Sequence, residues 1–186
     1  FWQIILVIGV GFIAGIINVM AGGGSLLTMP LLIFLGLDST MANGTNRIAI
    51  LFQNATAIGG YQSKGQSPGR FSIYLGISAL FGAIIGSKIA LEIPDGVFNK
   101  ILAVVMVLVV IMTLLNPSLK LKDGEKLIVR LDKKHKLMAV GALFLIGIYG
   151  GFIQAGTGLF IMAALSFINR YSLLQSNVAK ATIMFI

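Results

Sequence analysis

The chain has 186 residues, of which 57% are hydrophobic and 11% charged, with no cysteine and a formal charge of +8. A mean hydropathy of +0.97 excludes a soluble globular domain with a polar surface. The lack of cysteine excludes disulfides, thiolate metal sites and a cysteine nucleophile.

The first apolar stretch, residues 1–21, is close to the roughly 20 residues that cross a ~30 Å hydrocarbon core. No basic region or small-residue cleavage site frames it, so it reads as a retained span and not as a signal peptide. Because the chain starts at Phe1 and stops at Ile186 inside an apolar run, it also reads as a piece of a longer protein.

Ala21, Gly22, Gly23, Gly24 and Ser25 come next. Each glycine costs a helix about 1 kcal/mol relative to alanine, so three in a row predict a break within the membrane. Ser25 is the expected N-cap of a new half-helix over residues 25–37, with Pro30 inside it. The free amides and positive dipole end of such a helix suit an anion.

Residues 42–61 form a polar span carrying Asn43, Asn46, Arg47, Gln53 and Asn54, which predicts a helix facing a protein-lined interior. The loop at 62–71 has Lys64 and Arg70 without an acid, whereas 91–96 has Glu92 and Asp95. The first loop is therefore expected inside and the second outside, with a span at 72–91 running outward and one at 97–115 running inward. Gly82, Gly86 and Ala90 line one face of the 72–91 span as a helix-packing signature. The loop at 116–136, rich in lysine and arginine, is expected in the cytoplasm, and His135 within it is expected to be solvated. A further span at 137–155 then runs outward.

An internal repeat emerges between early and late regions. Gly11, Ala14, Gly15, Ile17 and Asn18 match Gly147, Gly150, Gly151, Ile153 and Gln154. Ala21, Gly22 and Gly24 match Ala155, Gly156 and Gly158, and Ser39, Ala42 and Thr45 match Ser176, Ala179 and Thr182. Residues 1–115 thus read as a first transmembrane repeat, 116–136 as a basic loop and 137–186 as the start of a second repeat. A re-entrant short segment makes the halves parallel, and a crossing one makes them inverted. Asp38 and Arg170, at equivalent connections, have opposite signs and favour inversion.

The candidate substrate-binding residues follow from these elements. Gly22, Gly23, Gly24 and Ser25 form the first break, and Gly156, Thr157 and Gly158 form a second copy without a serine cap; the alternative at both is that the glycines only allow close helix crossing or a kink. Asn18 and Gln154 stand before the two breaks as amides able either to donate to an oxyanion or to cap the broken backbone. Thr45, Asn46 and Thr182 offer polar groups on the polar spans, although a threonine hydroxyl also bonds within its own helix. Arg47 and Lys180 can neutralise an anion in transit, with snorkelling to the interface as the alternative. Every acid lies in a loop, and there is no histidine, cysteine or carboxylate constellation, so an enzyme lacks agents and neither metal nor cofactor is expected. The expected partners are a small anion and the lipid bilayer. Nucleic acid is not expected, because the basic residues cluster in loops and do not line a groove.

These motifs resemble the sulfite exporter TauE/SafE family of permeases. The resemblance rests on Gly11-x-x-x-Gly15 leading into Ala21-Gly-Gly-Gly-Ser25, on Pro30, on Ala42-x-Gly-Thr45 and on the weaker copy ending in Ala179-Lys-Ala-Thr182. It implies an all-α polytopic inner-membrane transporter with two homologous halves, exporting sulfite, organosulfonates or related anions. Thr157 departs from the glycine of the first copy, which leaves open whether both breaks serve equally. The rival to secondary transport is a non-transporting membrane scaffold or accessory subunit, distinguished by whether a polar cavity connects Asn18, Ser25 and Gln154.

Overall fold

The computed structural model describes residues 2–115 and 129–186. The described residues form eight helices and no strand: α1 (Trp2–Ala21), α2 (Ser25–Phe34), α3 (Ser39–Ser63), α4 (Arg70–Glu92), α5 (Asp95–Leu115), α6 (Lys133–Phe152), α7 (Thr157–Asn169) and α8 (Leu173–Phe185). α1, α4 and α6 are long and apolar enough to cross a membrane. α3 has 25 residues, about 37 Å at 1.5 Å per residue, so its length suffices despite its polar stripe.

Two boundaries differ from the sequence expectation. α6 begins at Lys133, so Lys133, Lys134, His135 and Lys136 form its first turn instead of belonging to the loop. His135 Nδ1 donates a 2.5 Å hydrogen bond to the carboxylate of Asp132, the N-cap residue, and is partly covered there rather than fully solvated. Desolvation raises the Asp132 carboxyl, but the hydrogen bond and charge of His135 outweigh it and hold the group below its ordinary value. The 116–128 part of the expected basic loop lies outside the described residues. At its other end α6 stops at Phe152 and not at Ala155, because Ile153 turns extended and the Gln154 N–H is drawn to the Asn43 side chain at 3.2 Å.

The tightest helix pair is α4 with α6. A Cβ on Gly82 would strike Phe144 O and Ile148 N, and one on Gly86 would strike Ile148 O and Phe152 N. From the other side, Gly147 and Gly151 press on the backbones of Ala79 and Ala83. The small-residue face expected on α4 therefore meets a matching one on α6. Backbones at this separation gain dispersion contacts that lipid tails do not supply. The contact positions rise together along both helices, so α4 and α6 run parallel, as the loop charges predict.

This direction orders the rest of the bundle. Thr40 Oγ1 donates to Asp95 Oδ1 at 2.8 Å and Ser39 bonds Asn99, which ties the start of α3 to the α4–α5 connection. Arg130 N–H donates to Asn169 O at 2.9 Å and Asn169 Nδ2 returns a bond to Arg130 O at 3.0 Å, which ties the end of α7 to the start of α6. The α2–α3 and α7–α8 connections consequently lie at opposite ends of the bundle. The succession of helix, glycine turn, short helix and helix occurs twice, in α1–α3 and in α6–α8, in opposite directions.

Buried residues form two apolar clusters. One joins Leu75, Leu143, Ile161 and Leu165, and the other joins Met29, Phe98, Leu102 and Ile153 around the glycine turns. Large apolar side chains such as Phe12, Phe34 and Phe81 point outward, as expected of surfaces solvated by lipid.

Candidate functional site

The first break is a left-handed turn. Gly22 has φ +80°, and its N–H bonds back to Asn18 O at 2.8 Å, closing the end of α1. Gly24, in a helical conformation, is the N-cap of α2 and supplies no side chain. This corrects the expectation for Ser25, which is the first residue of the helix and is buried without capping it. The backbone N–H groups of Gly23, Gly24 and Ser25 have no acceptor among the described residues, as the first turn of a helix requires. Asn18 Nδ2 donates to Gln53 Oε1 at 2.9 Å and Thr28 Oγ1 donates to Asn46 Oδ1 at 2.5 Å, so the turn lies beside the middle of α3.

The second break has the same bend. Gly156, which the expected repeat aligns with Gly22, has φ +75° and is the N-cap of α7. Thr157 begins that helix, and its hydroxyl donates to Gln154 O at 3.0 Å. Tyr149 spans the gap by donating to Ala155 O at 2.5 Å. The two breaks touch: a Cβ on Gly22 would lie 2.5–2.9 Å from Gly158 and Leu159 backbone atoms, and one on Gly158 would lie 2.6 Å from Gly22 Cα. No residue with a side chain can occupy either position without moving one break away from the other.

The carbonyl ends of the broken helices are held from across the bundle. Lys180 on α8, 1% exposed, donates to Asn18 O at 2.8 Å, Val19 O at 2.9 Å and Asn177 Oδ1 at 2.8 Å. Its three protons are thereby used, on oxygens of the α1 end and of its own helix. Arg47 on α3 donates through one terminal nitrogen to Gly151 O, and to Gly150 O at 3.3 Å, at the end of α6. Beside it Asn43 Nδ2 donates to Phe152 O at 3.0 Å while its Oδ1 accepts from Gln154 N. Neither cation snorkels to an interface; each meets the negative end of a helix dipole. Asn43 was not singled out as a site residue in the sequence. The signal was available, since Asn43 and Lys180 align at the spacing that pairs Ser39, Ala42 and Thr45 with Ser176, Ala179 and Thr182.

A cavity of about 240 Å³ opens between α3, α4, α6, α7 and α8, with Arg47, Gly150, Gln154 and Thr157 as its polar wall. A water takes ~30 Å³ of liquid volume, so a small oxyanion fits with part of its hydration shell. Among the described residues the buried Arg47 Nε–H and Asn46 Nδ2 donors and the Asn18 Oδ1 acceptor have no hydrogen-bond partner. Buried polar groups are nearly always paired, so three orphans beside the two breaks mark a place where polar partners are wanted. The cavity brings together Arg47, Gln154 and Thr157 but is not lined by Asn18 or Ser25. Thr45 is exposed on the outer face of α3, contrary to the expected lining role. Thr182 is buried and donates to Val178 O at 3.2 Å within its own helix.

Fold and site together define a multi-pass helical membrane protein with two broken helices meeting in its interior. Residues 7–186 match the family described as Sulfite exporter TauE/SafE, and the chain belongs to that family. Three similar proteins are a probable membrane transporter protein ORF9 from Sinorhizobium sp., one from Haemophilus influenzae, and YfcA from Escherichia coli K12. The first is 27% identical, with 81% of this chain and 56% of the relative covered. For the second the values are 29%, 80% and 56%, and for the third 30%, 93% and 61%. The chain therefore spans less than two thirds of the length of these relatives. No solved structure matches it significantly.

Proposed function

We propose that the protein is a secondary transporter of the cell inner membrane that exports small sulfur-containing anions such as sulfite or organosulfonates, built from two inverted homologous halves. Family membership and the relatives' description as membrane transporters support transport over catalysis. The observation that carries the anion is the cavity wall. A guanidinium whose Nε–H has no acceptor among the described residues, the Gln154 side chain and the N-terminal turn of α7 converge on one small space without a carboxylate among its lining residues.

In this account Arg47 supplies the charge that attracts the anion, and Gln154 and Thr157 supply polar contacts. The amides of Gly23, Gly24 and Ser25 present a second positive helix end at the adjoining break. Discontinuous helices in inverted repeats let one half rock against the other around a fixed site. The Gly22–Gly158 contact is the natural pivot, because two bare backbones slide with little side-chain repacking. The cavity reaches Gln154 but not Asn18 or Ser25, so what favours transport over a non-transporting scaffold is the description of the relatives as membrane transporters.

The test is a selectivity panel in proteoliposomes. Efflux of radiolabelled sulfite is expected to be competed by sulfoacetate and other sulfonates and unaffected by neutral or cationic solutes. Efflux equal to that of protein-free liposomes for every anion refutes the proposal.

A further inference from the structure

We propose that the Lys180 ammonium is a tethered cation occupying a cation-binding site at the carbonyl end of α1, the place where transporters with broken helices coordinate a coupling ion. The role in transport rests on the functional reading above; the cation site itself rests on geometry alone. Three neutral oxygens, Asn18 O, Val19 O and Asn177 Oδ1, surround the Lys180 nitrogen at 2.8–2.9 Å. Among the described residues no carboxylate lies within ion-pair distance of it. A buried charge without a counterion is costly unless dipoles replace its water. Here the replacement is oriented backbone carbonyl at a helix C-terminus, joined by one side-chain amide oxygen, the ligand type that unwound helix ends offer to sodium or protons.

The second broken helix repeats the device. At the end of α6, Gly150 O and Gly151 O receive the Arg47 guanidinium, again from the opposite set of helices. At the repeat position of Lys180 stands Asn43, which meets the same helix end as a neutral amide. Both carbonyl ends are therefore filled by cations carried on the chain. The nitrogen tethered on α8 fills the site, so this protein has no vacancy there for sodium, and a small free cation can enter only when the lysine side chain is removed.

The experiment uses purified protein in detergent and compares wild type with Lys180→Ala in methylammonium chloride or choline chloride at equal ionic strength. Lys180→Ala is expected to melt lower than wild type in choline and to recover by at least about 2 °C in methylammonium. Wild type is expected to melt equally in both salts. Asn177→Leu, which keeps the ammonium but removes one oxygen, is expected to be destabilised without responding to methylammonium. A folded Lys180→Ala that gains nothing from methylammonium overturns the proposal.

Should that variant not fold, wild-type sulfite efflux with sodium replaced by choline decides. Unchanged efflux supports the tethered cation, and a sodium requirement overturns it. A wild type that moves no sulfite in either salt refutes the transport reading instead, and the melting comparison still judges the cation site.

Discussion

Within the run of three glycines, the structure assigns unequal tolerance. At Gly22 a Cβ would sit 2.5–2.9 Å from backbone atoms of Gly158 and Leu159, on a residue with φ +80°. The left-handed conformation costs a non-glycine residue about 1–2 kcal/mol, and forcing extra atoms into a packed contact costs about 1–3 kcal/mol more. Backbone cannot step aside as a flexible side chain can, so Gly22→Ala is expected to lose about 2–5 kcal/mol in total. At Gly23 the nearest atom is a leucine methyl at 3.6 Å and φ is not positive, so Gly23→Ala is expected to be close to neutral. At about 2–4 °C per kcal/mol, the two variants differ by roughly 4–20 °C in melting temperature in detergent. Equal melting of Gly22→Ala and Gly23→Ala refutes the break-to-break contact.

Other perturbations separate the remaining parts of the account. Gly86→Val, whose side chain would meet Ile148 O and Phe152 N, is expected to pry α4 from α6 at a cost of about 1–3 kcal/mol or more, read as a lower melting temperature. Asn43→Leu strands Phe152 O and Gln154 N in a buried setting and is expected to cost about 2–4 kcal/mol, whereas Thr45→Ala on the exposed face of the same helix is expected to be silent in melting and in efflux.

Much of the fold was legible in the sequence because hydrophobic length and loop charge act locally. The three long apolar helices α1, α4 and α6, the parallel run of α4 and α6, and the glycine break follow from runs of residues that each carry their own cost in lipid or in a helix. The packing face of Gly82 and Gly86 was legible for the same reason, whereas its partner face, Gly147 and Gly151, stood out only as part of a repeat.

The capping of α2 was not legible, since serine is an excellent N-cap by propensity. Gly24 takes that position because a Cβ there would strike Ala14 O and the Asn18 side chain, so the tight fold-back against α1 prevails over capping. The uses of Arg47 and Lys180 were hidden for a different reason. Apart from Asn177 Oδ1, their partners are backbone carbonyls more than 100 positions away, and carbonyls leave no trace in residue identity. Thr45 was a misreading of period: Ser39, Ala42, Asn43, Asn46, Ile50 and Asn54 form the buried stripe of α3, and position 45 falls off it.

The most direct measurement of the central claim is exchange of radiolabelled sulfite across proteoliposomes containing wild type or Arg47→Gln, with both proteins shown to be folded by their melting curves. Charged hydrogen bonds are worth about 1.5–3 kcal/mol, so the account predicts sulfite-specific exchange by wild type and a loss of about tenfold or more in the variant. Exchange that is absent in wild type, or undiminished in a folded Arg47→Gln, contradicts it.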